Sequence, residues 1–254
     1  PVVVSDPFVA PYLRKYLVAT SVVIHLHLGS VPVLLSPLGN AFHINVLVLG
    51  VWVGIFYLAM SVGGAMAPHL FRRFRVSQTL SRALAGCGSC CFLTACLPVE
   101  FFPCTPPLLA LRFGCGLCQS VVMAHAPMWA KRTAPKGKTG TWLAWFQGSI
   151  PLGVVLGYAV AASLEVAVDK ATGWSSSWRP INFLQGLLLF VPARYFRSVP
   201  DSELGVFPWS VVRSSPSSPL LHAAGAASPA TLFSPNNQPG SAEPPLFAST
   251  EQFM

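Results

Sequence analysis

Residues 108–162 read LLALRFGCGLCQSVVMAHAPMWAKRTAPKGKTGTWLAWFQGSIPLGVVLGYAVAA. Two long apolar segments flank a short basic loop, Lys131-Arg132-Thr133-Ala134-Pro135-Lys136-Gly137-Lys138. The first segment holds one arginine, Arg112, a few residues from its start. An ionised group set so deep in an apolar helix costs a few kcal/mol, roughly 2.5–3.5 on insertion scales, and normally faces a bundle interior or a wet cavity. In the second segment Gly148, Pro151, Gly153 and Gly157 provide small residues for close helix approach and one helix-bending proline. Such a pair predicts neighbouring transmembrane helices.

Composition extends that reading to the whole chain. Hydrophobic residues make up 53% and charged residues 9% of the 254, against about 25% charged in an average globular protein. Apolar runs of about twenty residues, the length a bilayer requires at 1.5 Å rise per residue, recur over the first two hundred positions. The formal charge of +8 sits in short clusters between those runs. It lacks the aromatic and polar interleaving of a nucleic-acid face, so no nucleic-acid partner is expected and the lipid bilayer is. The sequence begins with Pro1, and an upstream segment is expected.

Read in order, residues 1–16 form a lead ending in the basic and aromatic anchor Arg14-Lys15-Tyr16. Six helices are expected, at about 17–36, 44–66, 83–102, 107–130, 140–164 and 180–197, making a transmembrane domain over 17–198. Pro37-Leu38-Gly39-Asn40 predicts a turn. Gly50 and Gly54 share one face of the second helix, a close-packing pattern. Residues 165–179, with Trp174 and Trp178, read as an interfacial loop. From Val199 to Met254 the serine- and proline-rich text predicts a disordered segment.

The polar residues inside these segments are the candidate substrate or coupling path. His25 and His27 in the first helix point to nearly opposite faces at 100° per residue, so only one can line a central path. Arg112, Gly116 and Gln119 fall on one stripe of the fourth helix. Gln147 joins them from the fifth. The plainer alternative makes the histidines packing glue between helices and Arg112 an anchor reaching the headgroups.

All seven cysteines lie between positions 87 and 118. Cys87-x-x-Cys90-Cys91 and Cys115-x-x-Cys118 have metal-like spacing, but an apolar segment offers neither deprotonated ligands nor an evident second shell, so they read as small packing residues. Neither a metal nor a cofactor is expected. Cys96 and Cys104 flank a turn where a disulfide is feasible. No nucleophile with a base and no phosphate loop is present, which argues against an enzyme. The basic residues concentrate in the lead, the 67–82 and 131–138 loops and the stretch after the sixth helix, which places both ends of the chain in the cytoplasm.

Several of these motifs resemble those of one family. Arg112-Phe113-Gly114-Cys115-Gly116 resembles the fourth-helix arginine-to-glycine motif of major facilitator superfamily transporters, and Pro151-Leu152-Gly153 with Gly157 resembles their fifth-helix motif. Gly64-Ala65-Met66-Ala67 followed by Arg72-Arg73 is similar to the family's second-to-third loop signature, with Pro68 standing where an aspartate is usual. Trp178-Arg179-Pro180 is similar to the spinster-like branch. The resemblance implies an all-α integral membrane fold, a six-helix bundle corresponding to the N-terminal half of a twelve-helix transporter. It implies secondary active transport of a small organic solute by alternating access, completed by the missing C-terminal half or by a second copy. The competing expectation is a non-transporting membrane protein, truncated or acting as a scaffold.

Overall fold

The computed structural model describes residues 9–99, 105–172, 177–201 and 203–204. Six α-helices account for nearly all of them: α1 (Val9–Phe42), α2 (Val46–Arg73), α3 (Val76–Cys96), α4 (Thr105–Thr133), α5 (Thr139–Thr172) and α6 (Trp178–Ser198). Helices α1, α2, α4 and α5 each contain a stretch long and apolar enough to cross a membrane. The other two, at 21 residues each, are roughly 31 Å long, which matches a hydrocarbon core of about 30 Å. Only helices and closed barrels satisfy every backbone group in lipid, so an all-helical solution suits this composition.

Local chemistry sets the ends. Helix α1 continues through the Pro37–Asn40 stretch that reads as a turn, and stops only where His43 takes a left-handed φ of 51°. The Ile44 N–H then bonds the Gly39 carbonyl at 3.2 Å, a six-to-one closure that satisfies an orphan carbonyl. The Asn45 side chain caps α2 by accepting the Val48 N–H at 2.9 Å. Arg72 and Arg73 belong to the last turn of α2, where cations complement the helix dipole, so Phe74 and Arg75 alone separate α2 from α3. After α6, Asp201 accepts the Ser77 N–H at 2.9 Å and thereby caps the start of α3.

The 165–179 stretch departs from its reading as a loop. Helix α5 runs on to Thr172, and α6 starts at Trp178. Trp178 is wholly buried, 5.3 Å from the Phe42 ring, because a large apolar side chain is better used inside the bundle than at an interface. The adjacent Arg179 donates to the carbonyls of Ala95 (3.4 Å) and Leu97 (3.0 Å), closing the end of α3. Trp174, Cys104 and the segment after Leu204 lie outside the described residues.

Helix α1 packs chiefly on α5, α2 on α4, and α3 on both α6 and α4. Renumbering helices one to three as four to six exchanges the α1–α5 contact with α4–α2, and α3–α4 with α6–α1, which is also present. The bundle therefore reads as two three-helix repeats. Because each repeat has an odd number of helices joined by short connections, the second runs opposite to the first.

Glycine contacts repeat with the same logic. On the α1–α5 side, Gly157 lies against the Leu26 backbone and Gly29 against the Val154 backbone. On the α2–α4 side, Gly63 lies against Leu117 and Ser120, and Gly116 against Phe56 and Ala59. Helices α3 and α6 meet through Gly88 and Gly186, where a Cβ on either would stand about 3 Å from the other's carbonyl oxygen (3.0 and 2.9 Å). Dispersion between closely approaching backbones is the main attraction available to helices in lipid. Gly50 and Gly54, expected to pack, meet nothing within 4 Å.

Candidate functional site

Arg112 sits on the face of α4 that turns inward, and the bundle leaves it only 4% exposed. Its Nη1 lies 2.7 Å from Nε2 and 3.3 Å from Nδ1 of His27, on α1. A guanidinium can only donate, so the imidazole nitrogen accepts. The guanidinium carbon also lies 4.2 Å from the Trp52 ring centroid and 4.5 Å from that of Phe56, one helical turn apart on α2. Such contacts are worth about 0.5–1 kcal/mol at exposed sites and about 2 kcal/mol or more when desolvated. Among the described residues no carboxylate touches Arg112, and its Nε has no hydrogen-bond partner. Three helices thus converge on a charge that only neutral groups hold.

His25 and His27 are both buried, and they face different helices as their spacing requires. Nδ1–H of His25 donates to the Ser21 carbonyl at 2.6 Å, and the His25 Cβ lies where Gly153 of α5 leaves room. Beside it, Ser149 on α5 donates to Ser21 at 2.7 Å. His25 is therefore part of the α1–α5 contact, while His27 faces Arg112. Next to His27, Ser30 receives a 2.7 Å hydrogen bond from Gln185 of α6.

Gln119, on the stripe below Arg112, is 1% exposed, and neither its Oε1 nor its Nε2 has a partner among the described residues. Gly116 between them makes the α2 contact already described. Gln147 and Gly148 lie on the exposed side of α5, apart from Arg112, and so does Pro151. A Cβ at Gly148 would meet nothing within 4 Å, so Gly153 and Gly157 carry the packing that Gly148 and Pro151 were expected to share.

Trp52 and Phe56 join the site without a sequence signal of their own. Their i, i+4 spacing was visible, but aromatic residues at helical spacing are ordinary in apolar segments, and nothing local indicates that a cation from α4 will reach them. Three of the cysteines that read as packing residues also cluster beside the arginine. Cys87 and Cys115 place their sulfurs 3.1 Å apart across α3 and α4. Cys115 Sγ lies 3.8 Å from Nδ1 of His27. The ligand atoms of His27, Cys91 and Cys115 all lie within 4.8 Å of one another.

The inward arginine, the glycine-lined contacts and the doubled three-helix arrangement define an all-helical, multi-pass membrane protein. A family model, that of the Major Facilitator Superfamily, matches residues 17–234. The chain belongs to that superfamily. Two solved structures share its fold. One is the proton:xylose symporter XylE bound to 6-bromo-6-deoxy-D-glucose (TM-score 0.64, 17% identity, 76% of this chain and 46% of that one). The other is the xylose transporter XylE from E. coli in an inward open conformation (TM-score 0.62, 15% identity, 74% of this chain and 47% of that one). The chain thus spans slightly under half the length of these structures. No curated protein matches it.

Proposed function

We propose that this chain is the N-terminal half of a secondary transporter that moves a small organic solute by alternating access, with Arg112 attracting an anionic group of that solute. The observation that carries the reading is the buried guanidinium on α4, held by His27, Trp52 and Phe56 without a carboxylate to neutralise it. A cation kept uncompensated in a low-dielectric bundle is costly as a packing device, and a negative group arriving from solution gains from it. Helices α1 and α4 carry the two bonded residues, which supports a path along their shared side. Gln119, with unused donors and acceptors, would add a polar contact.

Apolar side chains on α2 (Leu47, Leu58, Met66) and α5 (Leu152, Val155, Tyr158) stay exposed in the isolated chain. In the proposed assembly lipid and a second half, or a second copy, cover them. Gln147, on the same exposed side of α5, would then face the path. The basic connections put both ends of the chain in the cytoplasm.

The test is uptake into proteoliposomes of a panel of labelled carboxylate and phosphate solutes, comparing the unaltered protein with Arg112→Ala at equal membrane insertion. Uptake that disappears in the variant supports the assignment. Uptake unchanged in the variant removes Arg112 from the path. No uptake of any solute by a correctly inserted, assembled protein favours a scaffold role.

A further inference from the structure

The α3–α4 contact contains two kinds of cysteine. Cys90 fits against Gly114, and Cys118 against Gly86, each filling the space a glycine leaves on the facing helix. Cys87, Cys91 and Cys115 do something different: they are buried to about 2% exposure and converge. Cys87 and Cys115 are 3.1 Å apart, the Cys91 sulfur lies within 4.8 Å of that of Cys115, and all three thiols are free. Cys87 and Cys91 are four apart on α3 and so share a face. The CxxC pairs that look metal-like in the sequence are not the ones that meet.

We propose that Cys87, Cys91 and Cys115 form a binding site for one Cu(I) ion, a soft-metal link between α3 and α4. Thiolate ligands select soft ions such as Cu(I). Sulfurs bound to one ion at about 2.3 Å stand roughly 3.5–4 Å apart, between the 3.1 Å that separates Cys87 from Cys115 and the 4.8 Å that bounds the Cys91–Cys115 separation. His27 is occupied as the acceptor for Arg112, so the ligand set is sulfur alone. On binding, two thiol S–H bonds break, two protons leave to solvent and three Cu–S bonds form, two to thiolates and one dative bond from the neutral third thiol, with no change of oxidation state.

Charge balance favours this occupant. Cu(I) with two thiolates carries one negative charge. Arg112 is linked to the cluster through His27, whose Nε2 lies 2.7 Å from the arginine Nη1 and 3.9 Å from Cys115 Sγ, and it carries one positive charge, so the loaded cluster is neutral. A buried site with no net charge avoids the cost of an uncompensated ion in lipid. The same guanidinium thus supplies the second shell that the bare cysteine spacing lacks.

The experiment is anaerobic titration of the detergent-purified chain with Cu(I) against bathocuproine disulfonate, with size exclusion to confirm folding. One Cu(I) per chain is expected. Cys91→Ser and Cys115→Ser should each weaken binding about a hundredfold or more, since even outer-shell changes at metal sites cost about 10–100-fold. Cys90→Ala and Cys118→Ala should leave it unchanged. Zero stoichiometry, unchanged affinity in Cys91→Ser, or loss of two thiols to a disulfide in place of metal uptake overturns the proposal. If the serine variants fail to fold, X-ray absorption on the copper-loaded unaltered chain decides: a sulfur-only shell supports the site, and a nitrogen or oxygen shell overturns it. None of these readouts depends on transport.

Discussion

A Cβ placed on Gly153 of α5 would stand 2.6 Å from the Cβ of His25 on α1, so the two helices touch there with no side chain between them. Neither partner can give way, because the Val22 carbonyl lies at the same 2.6 Å and belongs to the α1 backbone. Gly153→Val or Gly157→Val should therefore separate α1 from α5, with a destabilisation of about 1–3 kcal/mol or more from overpacking. Gly148→Ala, with open space around it, is the control. Thermal unfolding followed by size exclusion in detergent should show a clear fall in melting temperature for the first two and none for the third.

Replacing Arg112 separates charge from shape. Arg112→Ala leaves a hole between Trp52, Phe56 and His27, whereas Arg112→Lys keeps the charge but loses the planar stacking of the guanidinium. A charge-assisted hydrogen bond is worth about 1.5–3 kcal/mol, so both variants should unfold at lower temperature, the alanine variant more so. Uptake is expected to fall at least about tenfold in Arg112→Lys, as one bidentate or stacked contact is lost. Lysine supporting full uptake would show that position matters less than charge.

Gln119 offers the opposite trade. Its amide is buried with both polar atoms unpaired, a state that costs about 1–3 kcal/mol. Gln119→Met, of similar volume, should raise the melting temperature while lowering uptake. A variant that loses stability instead would mean the amide is satisfied in the working protein.

The cap on α3 comes from outside the helix. Asp201 accepts the Ser77 N–H, and losing such a cap costs about 0.5–2 kcal/mol. Asp201→Ala should lower the melting temperature, and Asp201→Asn, which keeps an acceptor oxygen, should recover most of the loss. Equal effects of the two would place the importance in the charge.

Much of the architecture was readable in the residues. Apolar run length is a local property, so each of the six helices contains most of the span expected for it. Ends were harder: Pro37 and Gly39 read as a turn, yet the helix passes through them, because its stop depends on the His43 backbone and the Ile44–Gly39 bond. The Arg112, Gly116 and Gln119 stripe was visible from helical periodicity, and all three positions are buried. Gly148 and Pro151 were grouped with Gly153 and Gly157 by proximity in sequence, although the helix turns the two sets to different sides.

By itself the sequence determined that the chain is a set of membrane-length helices with a cation, Arg112, set inside one apolar segment, because length, apolarity and charge are read along the chain. Only the tertiary structure decided which neighbours that cation has. Trp52, Phe56 and His27 reach Arg112 from two other helices, and Cys87, Cys91 and Cys115 meet across a third contact. Such meetings depend on how far glycines let backbones approach and how helices are rotated about their axes. No spacing within a single helix encodes either quantity.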